Sequence, residues 1–171
     1  WTLKRSIATQ HSYLNWLFDV GLYRPNQAGN DKVRLRRMYW NEGYLDFKVA
    51  DLKVEPLKND PEYVNVTFVF NEGKPYTVSD VTISGNTVFT VDELKPLLKL
   101  KSGDVFNYSL QEKDVESIKN KYYALGYADF RCQVRRVPDF QTHKVSVEFV
   151  ITEGEQYEVR DIQITGNNVT R

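Results

Sequence analysis

Apolar and polar positions alternate along several stretches of this chain, and a helical period takes over between them. Val64, Val66, Phe68 and Phe70 alternate with Asn65, Thr67, Val69 and Asn71, as in a strand with one buried and one wetter face. Val145, Val147, Phe149 and Ile151 repeat that pattern. Each predicts the second arm of a hairpin. One first arm runs from Phe47-Lys48-Val49 through Leu52 and Val54 to a turn at Lys58-Asn59-Asp60-Pro61. The other runs through Phe130, Cys132 and Val134 to Val137. Both first arms slip phase, before Leu52 and at Val137, and such a slip predicts a β-bulge. Tyr76 to Ser84 is a further strand, with its own slip between Val78 and Val81.

Helical spacing fills the gaps. Leu35, Met38 and Tyr39 share a face of a helix that opens at Tyr23-Arg24-Pro25-Asn26 and ends at Gly43. Lys32, Arg34, Arg36 and Arg37 mostly take its outer side, a solvated face rather than an anion grip. Thr90-Val91-Asp92-Glu93 reads as a capping box, with Phe89 and Leu94 as its hydrophobic staple. Pro96 keeps that helix short. Ser109-Leu110-Gln111-Glu112 reads as a second capping box. It would open a helix with Leu110, Val115, Ile118, Tyr122 and Leu125 on one side, ended by Gly126. Residues 1–22 are dense in aromatics and read as the end of a helix plus an apolar turn against a core.

These elements recur. Tyr76-Thr77-Val78-Ser79-Asp80-Val81-Thr82-Ile83-Ser84-Gly85-Asn86 returns as Tyr157-Glu158-Val159-Arg160-Asp161-Ile162-Gln163-Ile164-Thr165-Gly166-Asn167. Glu72-Gly73 returns 81 residues later as Glu153-Gly154, and Gly43-Tyr44 returns 83 residues later as Gly126-Tyr127. The two-residue difference falls in a hairpin turn, where a length change costs least. A tandem array therefore explains the chain. Residues 1–73 make a unit lacking its first strand, 74–154 a complete unit, and 155–171 the first strand of a following one.

The order within a unit is β-α-α-β-β. A helical crossover lets the first strand lie parallel beside the third, while the second and third pair antiparallel. The expected fold class is α+β, each unit a three-stranded mixed sheet of order 1-3-2 with two helices on one face. The second strand is then an edge.

Composition removes several kinds of chemistry. The 23 basic and 23 acidic residues cancel, so no overall field draws the chain to nucleic acid or anionic lipid. Two histidines, His11 and His143, and one cysteine do not make a metal site, and Cys132 shares the inward phase of Phe130 and Val134. The glycines mark turns, without a phosphate-binding pattern. Asp92/Glu93 and Glu112/Asp114 sit at helix starts, where the helix dipole accounts for them. No catalytic constellation emerges, and no cofactor is expected. No apolar run is long enough to span a bilayer. Trp1 in place of an initiating Met reads as a piece of a longer chain.

The repeated unit resembles the polypeptide-transport-associated (POTRA) domain, as found in BamA-type outer-membrane protein-assembly factors. The resemblance is carried by Leu35-Arg36-Arg37-Met38-Tyr39-Trp40-Asn41-Glu42-Gly43-Tyr44-Leu45-Asp46-Phe47, by Asn71-Glu72-Gly73 and Thr152-Glu153-Gly154, and by the two Tyr-x-Val-x-Asp-Val/Ile-x-Ile-x-Gly-Asn strands. Trp16-Leu17-Phe18-Asp19-Val20-Gly21-Leu22-Tyr23 also looks like an inter-helix linker of that family. The resemblance implies a non-enzymatic periplasmic arm of an outer-membrane β-barrel lying outside this stretch. Its implied partners are unfolded outer-membrane β-barrel precursors, accessory assembly lipoproteins and neighbouring POTRA repeats.

The physical route would be β-augmentation, an extended peptide adding to an unpaired edge. The candidate edge is Asp129, Phe130, Arg131, Cys132, Gln133, Val134, Arg135 and Arg136, with Asp46, Phe47, Lys48 and Val49 as its counterpart. Arg131, Arg135 and Arg136 would favour acidic segments. Alternatives are the array of a related translocation, two-partner secretion or import pore, and a purely structural spacer.

Overall fold

A computed structural model describes residues 25–166. The expectations for residues 1–22 and for Trp16 to Tyr23 lie outside them.

Helix α1 (Pro25–Asn41) opens with Pro25 in its first turn, where a missing N–H costs nothing. It runs through Gly29 and Asn30, because Ala28, Leu35 and Tyr39 are buried on one face. Gly43 follows at φ 88°, a left-handed conformation that closes the helix and turns the chain into the sheet. Strands β1 (Lys48–Leu57) and β2 (Asp60–Asn71) form the first antiparallel hairpin. The register shifts between Val49 and Asp51, so the predicted bulge is present and Ala50 is the extra residue. Leu35, Tyr39 and Phe47 form the small core, with Tyr39 stacked on Phe47 at 4.1 Å between ring centroids.

The second unit is complete. Strand β3 (Thr77–Ser84) is followed by the one-turn helix α2 (Val91–Leu94), a 3-10 turn (Lys95–Leu97), helix α3 (Tyr108–Tyr123), and strands β4 (Arg131–Asp139) and β5 (Lys144–Thr152). The sheet order is β3-β5-β4, with β3 parallel and β4 antiparallel to β5, the 1-3-2 arrangement expected. The bulge in β3 falls between Val78 and Asp80, at the predicted slip. Val145, Val147, Phe149 and Ile151 are buried under the helices, while the residues between them are only half-covered. At Gly85 (φ 78°) an added methyl would strike the Ile151 carbonyl oxygen, so the turn after β3 admits only glycine.

Four expectations are corrected. β4 carries no bulge and pairs with β5 residue for residue from Arg131 to Asp139. Val137 simply points outward, 57% exposed, and Arg136 takes the inward position. Helix α3 starts earlier than the Ser109 capping box implied, because Asn107 is the cap and its side chain accepts from the Leu110 N–H. Its buried stripe is Gln111, Asp114, Ile118 and Tyr122, whereas Leu125 is exposed. Glu112 and Asp114 consequently lie past the first turn, so the helix dipole does not explain them.

The Thr90 capping box is present in both directions. Residues 157–166, the sequence counterpart of β3, carry no ladder among the described residues. A strand exists only by pairing, and Val159, Ile162 and Ile164 are at least 76% exposed.

Candidate functional site

The two units meet through a clasp assembled by the first and completed by the second. Gly43 turns α1 toward β1, and its carbonyl, which already accepts the Leu45 N–H, also accepts the Tyr76 N–H at 2.9 Å. The Tyr76 hydroxyl donates to Asp46 at 2.7 Å, and the ring is fully buried. Burial, then the hydrogen bond and charge of Asp46, pushes the Tyr76 hydroxyl up to about 12. His143, at the end of the β4–β5 turn, presents its ring edge-on to Tyr76 at 5.5 Å.

A second layer lies beside the clasp. Asn107 donates its side-chain amide to the Asn41 carbonyl at 2.8 Å, and the Ser109 N–H donates to the Asn41 side chain at 2.9 Å. Arg37 pairs with Glu112. The Arg136 guanidinium lies over the rings of Trp40 (5.4 Å) and Tyr108 (5.7 Å) and donates to Gln111 at 3.3 Å. An arginine can occupy the inward phase of a strand because aromatic faces of both units receive it.

A related bond braces each unit internally. Tyr39 donates to Glu72 at 2.6 Å, and Tyr122 donates to Glu153 at 2.7 Å. Burial and then the Glu72 bond push the Tyr39 hydroxyl up to about 12. Burial alone would raise Glu153, but it also accepts from the Thr87 N–H and hydroxyl and the Val88 N–H. Together these bonds bring its carboxyl down to about 2.

The predicted edge residues divide into two groups. Asp46 and Asp129 precede the strands and accept from Tyr76 and Tyr157. Phe47 and Phe130 are buried, stacked on Tyr39 and Tyr122. These four residues belong to the cores and clasps. Lys48 and Val49 begin β1, and Arg131 to Arg136 lie on β4, each strand paired on one side only among the described residues. Arg131, Gln133 and Arg135 face away from the helices, and Arg135 reaches Glu148 across the sheet at 3.2 Å. Cys132 and Val134 are half-buried on the inner side, where burial pushes the Cys132 thiol up to about 11. Arg136 faces the same way but is held in the junction.

Helix α3 has one covered flank and one open flank. Lys121 reaches the Glu93 carbonyl, and the Asp114 carboxylate accepts from the Lys99 and Leu100 N–H groups, which fixes α2 and its following loop on one side. The turn of the helix then places Glu112, Val115, Glu116 and Lys119 on the other side. With Gln111 they line an open groove of about 380 Å³. It begins where Gln111 meets Arg136 of β4. Among the described residues, no cluster of three His, Cys, Asp or Glu side chains is disposed to hold a metal.

Sequence reasoning treated Tyr39, Tyr76, Tyr122 and Tyr157 as core or strand residues and missed their carboxylate partners. The signal was available, because Tyr39/Tyr122 and Asp46/Asp129 recur at the 83-residue offset and Glu72/Glu153 at 81. Asp31 and Asp114 recur likewise, and both are fully buried.

Comparison with known proteins accords with this architecture. The POTRA family model, described as a surface antigen variable number repeat, matches residues 3–73 and again 76–154. The chain is 26% identical to an outer membrane protein assembly factor BamA of Neisseria meningitidis over 99% of its own length. It is also 26% identical, over 99% of its length, to a putative outer membrane protein assembly factor of Treponema pallidum. It spans 21% and 20% of those relatives. The crystal structure of POTRA3-5 of Haemophilus influenzae BamA superposes with a TM-score of 0.77 at 26% identity, covering 99% of this chain and 66% of that one. With the family model met twice, each time over a unit clasped to its neighbour, the chain belongs to the POTRA family.

Proposed function

We propose that this chain is a non-enzymatic periplasmic module of an outer-membrane β-barrel assembly factor. It receives extended segments of unfolded outer-membrane protein precursors and docks accessory lipoprotein subunits. The observation that carries the reading is the edge strand β4, paired only with β5 among the described residues and accompanied by the open groove of α3. An extended segment adding to β4 satisfies its backbone groups on the strand and turns alternate side chains toward α3. Backbone pairing tolerates many sequences, which suits clients that share little but alternation.

The receptive stretch is Arg131 to Arg135, because Arg136 is committed to the junction and Pro138 has no N–H to offer. β1 is the weaker site, since its bulge at Ala50 interrupts an added ladder. Amide chemical-shift mapping with a peptide from a β-barrel strand tests this. Shifts concentrated on β4 and α3 are expected, while shifts confined to α1 or absent altogether overturn it.

A further inference from the structure

We infer that filling the α3 groove changes the freedom of the two units relative to one another, because the groove and the junction are built from the same side chains. This rests on the proposed receiving role and adds a control to it. Gln111 and Glu112 both line the groove. Gln111 also accepts from Arg136, whose guanidinium lies over Trp40 of the first unit. Glu112 also holds Arg37 of that unit. The remaining bridges, Asn41 with Asn107 and Ser109 and the Tyr76 clasp, lie outside the groove.

The occupant that would shift this balance is an extended segment with basic side chains on its groove-facing side. Among the described residues, Glu112 and Glu116 line the groove with Lys119 as its single cation, so the wall carries net negative charge. An ammonium reaching Glu112 competes with Arg37 for the same carboxylate. The first unit then loses one of its ties to α3 while the clasp holds, and the range of inter-unit angles widens. Coupling runs both ways: whatever loosens the Arg37 tie strengthens binding of the basic segment by the same factor. An exposed ion pair sets that factor at about two- to fivefold.

The test uses the 171-residue chain with Cys132→Ala and spin labels at Thr67→Cys and Thr82→Cys. The probe is an acetylated decapeptide alternating Val and Lys, with its Val-Glu counterpart as control. Saturating Val-Lys peptide is expected to broaden the spin–spin distance distribution, and the control to leave it unchanged. Arg37→Ala, which frees Glu112 but leaves every groove-lining residue in place, is expected to broaden the distribution without peptide and to tighten Val-Lys binding two- to fivefold. An unchanged distribution alongside amide shifts on β4 and α3 overturns the coupling and leaves the receiving role standing. Absence of any β4 or α3 shift overturns both.

Discussion

The clasp at Gly43 and Tyr76 and the one at Gly126 and Tyr157 use the same atoms with different surroundings. In each, a left-handed glycine offers its carbonyl to a tyrosine N–H at 2.9 Å, and the tyrosine hydroxyl reaches the aspartate that directly precedes the buried phenylalanine at the head of the strand. Tyr76 is fully buried, whereas Tyr157 is 51% exposed. The bonding geometry is therefore shared by the two clasps, and burial is what differs between them. Of the two contributions, burial decides what the bond is worth, because an exposed pair competes with water.

The largest test of that difference lies in the internal braces. Among the described residues Glu153 serves Tyr122, Thr87 and Val88, whereas Glu72 serves Tyr39. Glu153→Ala should lower stability by about 3 kcal/mol, since it strands several donors, and Glu72→Ala by about 1 kcal/mol. Urea denaturation followed by tryptophan and tyrosine fluorescence reads both, and equal losses would contradict the ranking. Because the Glu153 carboxyl is depressed to about 2, its contribution is present above the unfolded value near 4.5 and disappears as pH falls toward 2. Glu153→Gln should flatten that part of the acid profile relative to wild type.

The clasps come next. Tyr76→Phe leaves the Asp46 carboxylate without its buried donor and should cost about 2 kcal/mol. Tyr157→Phe removes the matching bond at the exposed clasp and should leave the denaturation midpoint where it was. A comparable loss at both positions would show that burial is not the deciding factor.

The smallest expected effect concerns the second layer at the first junction. Asn107→Ala removes both the cap of α3 and the bond to the Asn41 carbonyl, at about 1 kcal/mol. Ser109→Ala should change nothing measurable, because it is the Ser109 N–H, not its hydroxyl, that meets Asn41. Thermal denaturation of the two variants separates them, and a loss at Ser109 would restore it as the cap.

Legibility in the sequence followed the range of the interaction. The bulges at Ala50 and Ser79 were readable because a single strand's hydrophobic phase records them. Gly43 and Gly126 were readable because a helix end needs a left-handed residue locally. Arg136 was not, since its inward position depends on Trp40, nearly a hundred residues away and in another unit. Hydropathy took the outward Val137 as the inward residue and so placed a bulge where none exists. Ser109 matched the capping pattern, but Asn107 had Asn41 to bond as well as Leu110, and that long-range partner settled the competition. The edge strands were legible as strands. Which of their residues stay free for a partner was not, because Asp46, Phe47, Asp129 and Phe130 are claimed by contacts distant in sequence.

The clasp has a consequence for how such a chain is made. A unit whose last strand is finished still holds an aspartate waiting for a hydroxyl encoded at the start of its successor. During synthesis, then, closure of each unit trails the ribosome until the following tyrosine has emerged. A cut placed at Pro75, where the sequence repeat divides, would sever a finished core from the residue that seals it.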